Sequence, residues 1–315
     1  MTESFLGVTQ SLTGRRWTGP AATELRLAQA LAQQTGLPEQ ICLILARAGI
    51  DAAEADAYLA PTLRDLMPDP STLKDMDTAT TIAAEHLRKG RRIAIFADYD
   101  VDGAASAALL HDYLGQLGIR PKIYVPDRID EGYGPNSPAM EQLAADHDLI
   151  FCVDCGTLSH EPIAAARAAG AQVIVLDHHL GGETLPDAGA VVNPNRQDED
   201  STVSYLCAAG VVFMFLVSLN RARRAAGEPT PDMMSLLDLV ALATVADVAP
   251  LLGLNRALVR QGLVVMSGRK RAGLAALADV AGLTAPPAPY HLGYVLGPRI
   301  NAGGRVGQAD LGARL

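Results

Sequence analysis

Short apolar runs rich in β-branched residues alternate with alanine-rich amphipathic segments from Arg91 through the middle of the chain. The apolar runs have the length of strands, and the segments between them have the length of helices. Nearly continuous apolar strands separated by helices are typical of a parallel sheet that is covered on both faces. We therefore predict the α/β fold class, with a doubly wound, mainly parallel sheet.

The apolar runs and the segments between them define the predicted elements. The predicted strands cover residues 93–97, 122–125, 149–153, 172–176 and 190–192. The predicted helices cover residues 104–117, 137–145, 161–169, 206–226 and 233–248.

The regions that flank this alternation are predicted to be helical. Residues 1–90 carry Ala, Leu and Glu at helical spacing, interrupted by prolines, and are expected to form a helical N-terminal cap. Residues 91–253 are expected to form the sheet-containing domain. Residues 254–315 are expected to form a helical extension in which residues 297–305 are a glycine-rich loop.

Composition argues against several classes of protein. A net charge of −9, from 26 basic and 35 acidic residues, argues against nonspecific coating of nucleic acid, but not against a nucleic-acid enzyme whose carboxylates hold cations. The four cysteines are scattered, and Cys152 and Cys155 lack the second pair that a zinc tetrahedron requires. Because no targeting or membrane-spanning segment is visible, we expect a cytoplasmic protein with no membrane contact.

Acidic residues follow three of the predicted strands directly. They are Asp98, Asp100 and Asp102 after the first strand, Asp154 after the third, and Asp177, with His178 and His179, after the fourth. In sheets of this class, ligands bind beyond the carboxyl ends of the strands. The sequence therefore predicts one polar site at this edge of the sheet.

The spacing of the first cluster points to a metal. If residues 98–102 stay extended, Asp98, Asp100 and Asp102 point to one side. Three such carboxylates would take up protons at neutral pH unless a cation compensates them. The alternative is a loop in which the aspartates cap the next helix.

The donor types indicate which metal and which reaction to expect. Carboxylate and imidazole ligands without thiolates suit Mn²⁺ or Mg²⁺, with zinc less favoured. The ligands suffice for two ions, and paired ions activate water and hold a phosphoryl group during in-line displacement. We therefore predict hydrolysis of a phosphoester or phosphoanhydride bond.

The segments at the strand ends resemble the motifs of the DHH phosphoesterase superfamily. The matching segments are residues 97–103 (ADYDVDG), 153–156 (VDCG) and 177–179 (DHH). Further segments resemble one branch of it, the RecJ single-strand-specific exonucleases: residues 127–134 (DRIDEGYG), 207–211 (CAAGV), 243–251 (ATVADVAPL) and 297–305 (GPRINAGGR). The resemblance runs from about Leu59 almost to the end of the chain.

This resemblance implies a role for each matching residue. The implied metal ligands are Asp100, Asp102, Asp154, His178 and Asp247, with Asp98 as a further candidate and Asp154 placed to bridge two ions. Asp177 is expected to orient the histidines and His179 to face the scissile phosphate, so that the catalytic set is Asp154, Asp177, His178 and His179. The implied phosphate or base contacts are Arg128, Tyr133, Arg299, Asn301, Gly304 and Arg305.

The activity that the resemblance implies is that of a metal-dependent exonuclease. Such an enzyme degrades single-stranded DNA from the 5′ end to mononucleotides in DNA repair and recombination, and a helicase or a single-strand-binding protein is a candidate partner. A second hypothesis keeps the site for a short oligoribonucleotide, a cyclic dinucleotide or pyrophosphate. A third is an inactive nucleic-acid-binding or scaffold subunit, although every expected acidic and imidazole position is occupied.

RecJ-like proteins usually continue into a second domain with a glycine-glycine-histidine motif and often into an OB-fold. No such motif occurs among these 315 residues, so we expect either the catalytic core of a longer protein or a naturally short one. Substrate grip, polarity and processivity depend on that choice. Metal identity, the preference between DNA and RNA, and oligomeric state are also left open.

Overall fold

A computed structural model of the chain describes residues 4–127, 131–306 and 308–315, except for the side chains of residues 305 and 306. The chain divides into two compact units, Met1–Thr62 and Leu63–Leu315. The boundary expected after residue 90 falls inside the second unit, and the three-part division stays a prediction.

The first unit is helical. It contains a 3-10 helix at Phe5–Gly7 followed by helices α1 (Ala22–Thr35), α2 (Glu39–Arg47) and α3 (Ala55–Leu59). Gly36 ends α1 in the left-handed conformation, with φ of 70°, which glycine adopts without strain. Leu31, Cys42 and Leu45 are buried in the core of this unit.

The second unit is built around a five-stranded sheet. Its strands are β1 (Ile93–Ala97), β2 (Lys122–Tyr124), β3 (Leu149–Val153), β4 (Gln172–Leu176) and β5 (Ala190–Val192). They lie in the order β2-β1-β3-β4-β5, and every pairing is parallel. The chain reverses its direction of travel across the sheet between β1 and β3, which opens a crevice at their carboxyl ends.

Helices cover the sheet and continue after it. They are α4 (Leu63–Leu66), α5 (Met76–Arg88), α6 (Val101–Gln116), α7 (Ser137–Asp146), α8 (His160–Ala168), α9 (Ala208–Ala225), α10 (Leu237–Ala246), α11 (Gly253–Ser267), α12 (Ala272–Val280), α13 (Pro289–His291), α14 (Gly297–Val306) and α15 (Leu311–Arg314). Short 3-10 helices lie at Pro70–Thr72 and Met234–Leu236, and a π-helix lies at Leu292–Leu296.

Alternate residues of the strands pack into two separate cores, one on each face of the sheet. In β1, Ile93 and Ile95 belong to the core formed with α5, α6, α9 and α10. Ala94 and Phe96 belong to the core formed with α7 and α8. Because both faces are apolar and covered, the predicted α/β fold class with a doubly wound parallel sheet is confirmed.

The segment after β1 differs from the prediction. Helix α6 begins at Val101, three residues earlier than expected, because the Asp100 side chain accepts hydrogen bonds from the N–H groups of Asp102 and Gly103. Residues 98–102 are therefore not extended, and the condition under which their three carboxylates would point to one side is not met.

The glycine-rich loop expected at residues 297–305 is also wrong, since this segment is part of helix α14. Its glycines permit close packing. A Cβ at Gly304 would lie 2.9 Å from the carbonyl oxygen of Tyr99, and one at Gly297 would lie 3.1 Å from the Cβ of Ala246. The packing surface, which the sequence does not reveal, outweighs the low helix propensity of glycine.

Among the helices that the structure describes, none has both the length and the apolar character needed to cross a membrane.

Candidate metal centre

The first carboxylates of the centre lie where β1 meets α6. Asp98 is only 4% exposed, and its Oδ1 has no hydrogen-bond partner among the described residues. Asp100 caps α6 through Oδ1, which accepts from Asp102 N–H at 2.8 Å and from Gly103 N–H at 3.0 Å. A Cβ on Gly103 would overlap the carbonyl group of Asp98, so glycine is needed for α6 to start this close to β1.

Asp102 joins α6 to the start of α9. Its carboxylate accepts from the N–H of Ala208 at 2.6 Å and from the N–H of Ala209 at 2.8 Å. These are unpaired backbone donors of the first turn of α9, where the helix dipole favours a negative charge. The carboxylate is therefore fixed in place although it is almost fully buried.

Asp154 follows β3 in a strained backbone conformation. Its φ is 59°, in the left-handed region that non-glycine residues seldom adopt, and its side chain is buried. Asp154 Oδ1 has no hydrogen-bond partner among the described residues and lies 3.3 Å from His178 Nε2. Strain and an unpaired buried oxygen in the same residue are features of functional sites.

Asp177 organises the two histidines after β4. Its Oδ1 accepts from the backbone N–H groups of His178 and His179 at 2.7 and 3.2 Å, and from His179 Nδ1 at 2.8 Å. Its Oδ2 accepts from the N–H and the hydroxyl of Thr157 at 3.1 and 2.7 Å. Burial would raise the pKa of Asp177, but the hydrogen bonds from His179 and Thr157 lower it to about 2. Asp177 is therefore an ionised acceptor.

Two asparagines hold the same loop, and sequence reasoning missed them. Asn193 Nδ2 donates to Thr157 Oγ1 and to the carbonyl of His179, both at 2.8 Å. Asn195 Nδ2 donates to the carbonyl of His178 at 2.6 Å. A signal was available, because Asn193 follows β5 just as the acidic residues follow β1, β3 and β4. A polar residue in that position at the fifth strand indicates the same site.

His178 lies among three carboxylates. Its Nε2 is 3.3 Å from Asp154 Oδ1 and 3.7 Å from Asp102 Oδ2, and its Nδ1 is 4.0 Å from Asp247 Oδ2. Asp247 ends α10, so the packing of that helix brings it to the sheet edge. Burial lowers the pKa of His178, which keeps the imidazole neutral and able to act as a ligand.

The ligand atoms form overlapping groups that could hold metal ions. The groups, each with its atoms within 4.8 Å of one another, are Asp98–Asp100–Asp154, Asp102–His178–Asp247 and Asp154–His178–His179. Asp154 belongs to two of the three groups. The donors are carboxylate oxygens and imidazole nitrogens, which suit Mn²⁺ and Mg²⁺. The unpaired Oδ1 atoms of Asp98 and Asp154 fit the same ions, because a buried oxygen without a donor needs a cation.

The raised pKa values of the carboxylates are consistent with a site for cations. Burial raises the pKa of Asp98 to about 6 and that of Asp247 to about 6, and the charge of Asp100 adds to both shifts. Burial also raises the pKa of Asp102, with the charge of Asp247 adding to the shift. The pKa of Asp154 is raised by burial and then by the charge of Asp102. The charged form of this centre is unfavourable in the protein alone, and bound cations would relieve it.

Tyr133 is brought to the centre, as a predicted substrate contact should be. Its hydroxyl lies 3.2 Å from His179 Nε2, and its ring makes edge contacts with Tyr99 and His179. The side chain is 59% exposed. Burial of the hydroxyl end, followed by the charges of Asp98 and Asp154, raises the pKa of Tyr133.

The other predicted substrate contacts lie on α14 or outside the described residues. Asn301 Oδ1 accepts from Val101 N–H at 3.1 Å, so it supports the turn that carries Asp100. Gly304 packs on Tyr99, and the exposed Arg299 donates through Nη1 to the carbonyl of Val295 at 2.8 Å. Arg128 and the side chain of Arg305 lie outside the described residues. A contact of these residues with nucleic acid stays a prediction.

Comparison with known proteins identifies the sheet-containing domain. Residues 92–244 match the N-terminal domain of the DHH family. The single-stranded-DNA-specific exonuclease RecJ of Salmonella typhimurium is 37% identical over 289 residues, which are 89% of this chain and 49% of that protein. The chain thus spans about half the length of the curated relatives that it matches.

Two solved structures of RecJ from Thermus thermophilus share the fold. The structure in complex with Mn²⁺ is 32% identical with a TM-score of 0.76, and covers 92% of this chain and 40% of that one. The structure in complex with Mg²⁺ is 30% identical with a TM-score of 0.66, and covers 92% of this chain and 37% of that one.

Proposed function

This chain carries the N-terminal domain of the DHH family, and from that premise we propose that it is the catalytic part of a metal-dependent exonuclease. The proposed substrate is single-stranded DNA, hydrolysed from the 5′ end to mononucleotides. The relatives named RecJ support this choice, because they are described as specific for single-stranded DNA.

One observation carries the proposal. Five buried or partly buried carboxylates and one neutral imidazole converge at the carboxyl edge of the sheet, with two carboxylate oxygens unpaired among the described residues. The proposed metal ligands are Asp98, Asp100, Asp102, Asp154, His178 and Asp247. A structural ion-pair network would contain basic side chains. The negative charge of these five carboxylates would instead be balanced by cations bound from solution.

The chain's own residues would prepare the site for hydrolysis. Two divalent cations, when bound, would lower the pKa of the attacking water and neutralise the charge that develops on the phosphate. Asp154, which belongs to two of the ligand groups, would help to hold both ions, and the other proposed ligands would complete their coordination. The apolar cores beneath the centre would keep these side chains in fixed positions.

We further propose that His179 faces the scissile phosphate. Because Asp177 is ionised and can only accept, His179 Nδ1 carries a proton and donates a hydrogen bond to Asp177 Oδ1. In the neutral ring Nε2 is then an acceptor, and it lies 3.2 Å from the Tyr133 hydroxyl, which can donate to it. Asp177 also raises the pKa of His179, which favours a protonated ring that can donate to a phosphate oxygen.

The setting of the enzyme follows from its proposed substrate. We propose a role in DNA repair and recombination in the cytoplasm, with a helicase or a single-strand-binding protein as the partner that presents single strands. Five-prime polarity and release of mononucleotides are part of the same proposal, because the names of the relatives state only the single-strand specificity.

The test is a time course with end-labelled single-stranded DNA and RNA in Mn²⁺. With DNA labelled at the 5′ end, we expect the label to appear as mononucleotide from the start of the reaction. With DNA labelled at the 3′ end, we expect the labelled strand to become progressively shorter. Asp154→Asn is the matched control, since asparagine tolerates the left-handed conformation and removes the charge. A time course in which wild type and Asp154→Asn release mononucleotide at the same rate would contradict the assignment.

Adding a dinucleotide, pyrophosphate and a binding measurement to this experiment tests two alternatives. Faster turnover of a dinucleotide or pyrophosphate than of a long strand would indicate a small-substrate phosphodiesterase with the same centre. Binding of oligonucleotide without any Mn²⁺-dependent product would indicate an inactive binding or scaffold subunit.

A further inference from the structure

The charge of the chain is unevenly distributed along the sequence. Residues 248–315 contain eight basic and two acidic residues, a net charge of +6, whereas residues 1–247 contain 18 basic and 33 acidic residues, a net charge of −15. From Val248 to Ala309 the one acidic residue is Asp279. Arg269 and Arg314 pair with the two acidic residues of the segment, and Arg271 pairs with Asp112 and Asp238 outside it. The segment keeps a positive net charge after these pairs are counted, which is suited to a polyanion such as a nucleic-acid backbone.

Two aromatic rings are exposed within this positive segment. Tyr290 is 64% exposed and Tyr294 is 74% exposed, and their rings are stacked with centroids 5.2 Å apart and planes inclined by 26°. Among the described residues from 63 to 315, the other aromatic side chain with comparable exposure is Tyr133, which lies beside His179. Aromatic rings are otherwise placed in cores, where burial stabilises the fold.

The tyrosine pair is connected to the metal centre through one helical run. Pro289–His291, the π-helix Leu292–Leu296 and α14 follow one another without a break. Cβ positions at Gly293 and Gly297 lie 3.4 Å from Val245 and 3.1 Å from Ala246, so the run packs against the last turn of α10, next to Asp247.

The far end of the same run reaches the other side of the centre. Asn301 accepts from Val101 N–H, and Gly304 packs on the carbonyl of Tyr99. The run therefore crosses the centre from the end of α10 to the start of α6. Tyr290 precedes Gly297 by seven residues, which places the pair within roughly 10 Å of the end of α10 along the helical axis.

We propose that Tyr290 and Tyr294 form a stacking platform for the unpaired bases of a single strand whose scissile phosphate lies at the metal centre. This inference rests on the proposed function and adds to it the residues that would hold the strand beyond the cleaved bond. Every base has a flat face, so an aromatic platform binds single strands without reading their sequence. A duplex, whose bases are already stacked on one another, cannot use it. The local π-helix is a further sign, since these rare turns are frequent at functional sites.

The test measures binding separately from hydrolysis. In an Asp154→Asn background, which prevents digestion, the Kd for a fluorescently labelled single-stranded 15-mer is measured by anisotropy at fixed salt. Replacing both tyrosines, as Tyr290→Ala and Tyr294→Ala together, is expected to raise Kd at least about fivefold, since stacking on each ring contributes substantially to affinity. Tyr290→Phe with Tyr294→Phe keeps the rings and is expected to keep Kd within about twofold.

A matched control separates stacking from the loss of apolar surface. Val280 lies in the same positive segment, is 84% exposed and has no ring, so Val280→Ala is expected to leave Kd unchanged. An abasic scan of the 15-mer should locate one or two positions at which removal of the base weakens binding by the parent protein but not by the double alanine variant.

The outcomes distinguish this inference from the proposed function. A double alanine variant that binds the 15-mer as tightly as its parent would overturn the platform, even if the wild type digests DNA as proposed. The platform is also overturned if the variants change self-association but not Kd, because the tyrosines then serve a protein contact. If the wild type digests no nucleic acid, the proposed function fails, while the binding comparison still decides whether the tyrosines bind single strands.

Discussion

Two acidic clusters lie at opposite ends of the same helix pair, α6 and α10, and they are compensated in different ways. At one end, Asp112 on α6 and Asp238 on α10 both pair with Arg271, whose Nε lies 2.9 Å from Asp238 Oδ2. At the other end, Asp102 and Asp247 have no Arg or Lys partner among the described residues, and the nearest ring is the neutral His178.

The difference separates a structural charge cluster from a functional one. At the Arg271 end, the protein supplies its own cation and forms a bidentate pair with Asp238. At the metal end, the protein keeps buried carboxylates with raised pKa values and unpaired oxygens. The same residue type thus fixes helix packing in one place and prepares a cation site in the other.

The largest expected effect comes from removing a carboxylate at the metal end. Asp154→Asn should lower the rate of Mn²⁺-dependent DNA hydrolysis by roughly a thousandfold, since the residue would serve both ions. Its free energy of unfolding in EDTA should stay equal or rise, because a neutral amide replaces a buried ionisable group. Single-turnover digestion and urea unfolding measure the two quantities.

The matched change at the Arg271 end should reverse this pattern. Asp112→Asn should lower the free energy of unfolding by about 1 kcal/mol and leave the rate of hydrolysis within about threefold. Equal losses of activity in Asp112→Asn and Asp154→Asn would remove the distinction between the two clusters.

Removing the protein's own cation should cost stability. Arg271→Ala should lower the free energy of unfolding by about 3 kcal/mol, because it removes the one cation that pairs with the buried carboxylate of Asp238 among the described residues. The exposed pair of Arg269 and Asp279 provides the control, and Arg269→Ala should cost less than about 1 kcal/mol. Urea unfolding measures the loss of stability in each variant. Similar losses in Arg271→Ala and Arg269→Ala would show that burial does not determine how much an ion pair contributes to stability.

In the absence of metal, the carboxylates at the metal end should make the free energy of unfolding depend on pH. Asp98 and Asp247 have folded-state pKa values raised to about 6, above the unfolded value of about 3.9. Their contribution to stability is fully present below about pH 4 and is lost as pH rises through about 6, because the unfolded state releases these protons first. In EDTA, the free energy of unfolding should therefore fall by roughly 2 kcal/mol for each of the two groups, about 4 kcal/mol in total, between pH 4.5 and pH 7.

Two comparisons show whether this slope belongs to the metal end. Asp98→Asn should reduce this slope by about half, because Asp247 remains, and Mn²⁺ at 100 times its Kd should add about 2.7 kcal/mol at pH 7 for each ion bound. An unchanged slope in Asp98→Asn would assign the pH dependence to other groups. His179, whose pKa is raised, contributes in the same direction, whereas Asp177, with a pKa of about 2, loses its contribution only below that range.

The smallest expected effect concerns backbone strain next to Asp247. Val248 has a φ of 59° and is 84% exposed, and a β-branched residue is strained in this conformation. Val248→Gly should raise the free energy of unfolding by about 1 kcal/mol. Arg269, with a φ of 51° near the other end, is unbranched and ion-paired, so Arg269→Gly should gain less. A larger gain at Arg269 than at Val248 would contradict this account of the strain.

The parts of the fold that could be predicted are those with local signals. The strands β1, β3, β4 and β5 were found to the residue, because each is a short apolar run bounded by polar or glycine residues. The start of α6 was missed because Asp100 and Asp102 have the alternation of a strand, while the capping hydrogen bonds that decide the matter are visible only in three dimensions. The glycines of α14 led to the prediction of a loop. In the structure they allow close packing instead, as at Gly304, and these tertiary contacts are not visible in the sequence.

The residues of the candidate site also fall into those that the sequence predicts locally and those that depend on tertiary packing. Asp98, Asp154 and Asp177 could be found from sequence because they follow strands of one parallel sheet. Asp247 stands at the end of an apolar helix, so nothing local distinguishes it from a helix-end residue, and the family resemblance alone indicated it. Its approach to His178 depends on how α10 packs against α6, which is a property of the whole core.

The most direct test of the central claim is calorimetric titration of the wild type and Asp154→Asn with Mn²⁺ at pH 7.5. If the carboxyl edge of the sheet is a two-cation centre, the wild type should bind two ions per chain, and Asp154→Asn should lose at least one of them. Absence of binding by the wild type, or the same stoichiometry and affinity in Asp154→Asn, would contradict the claim.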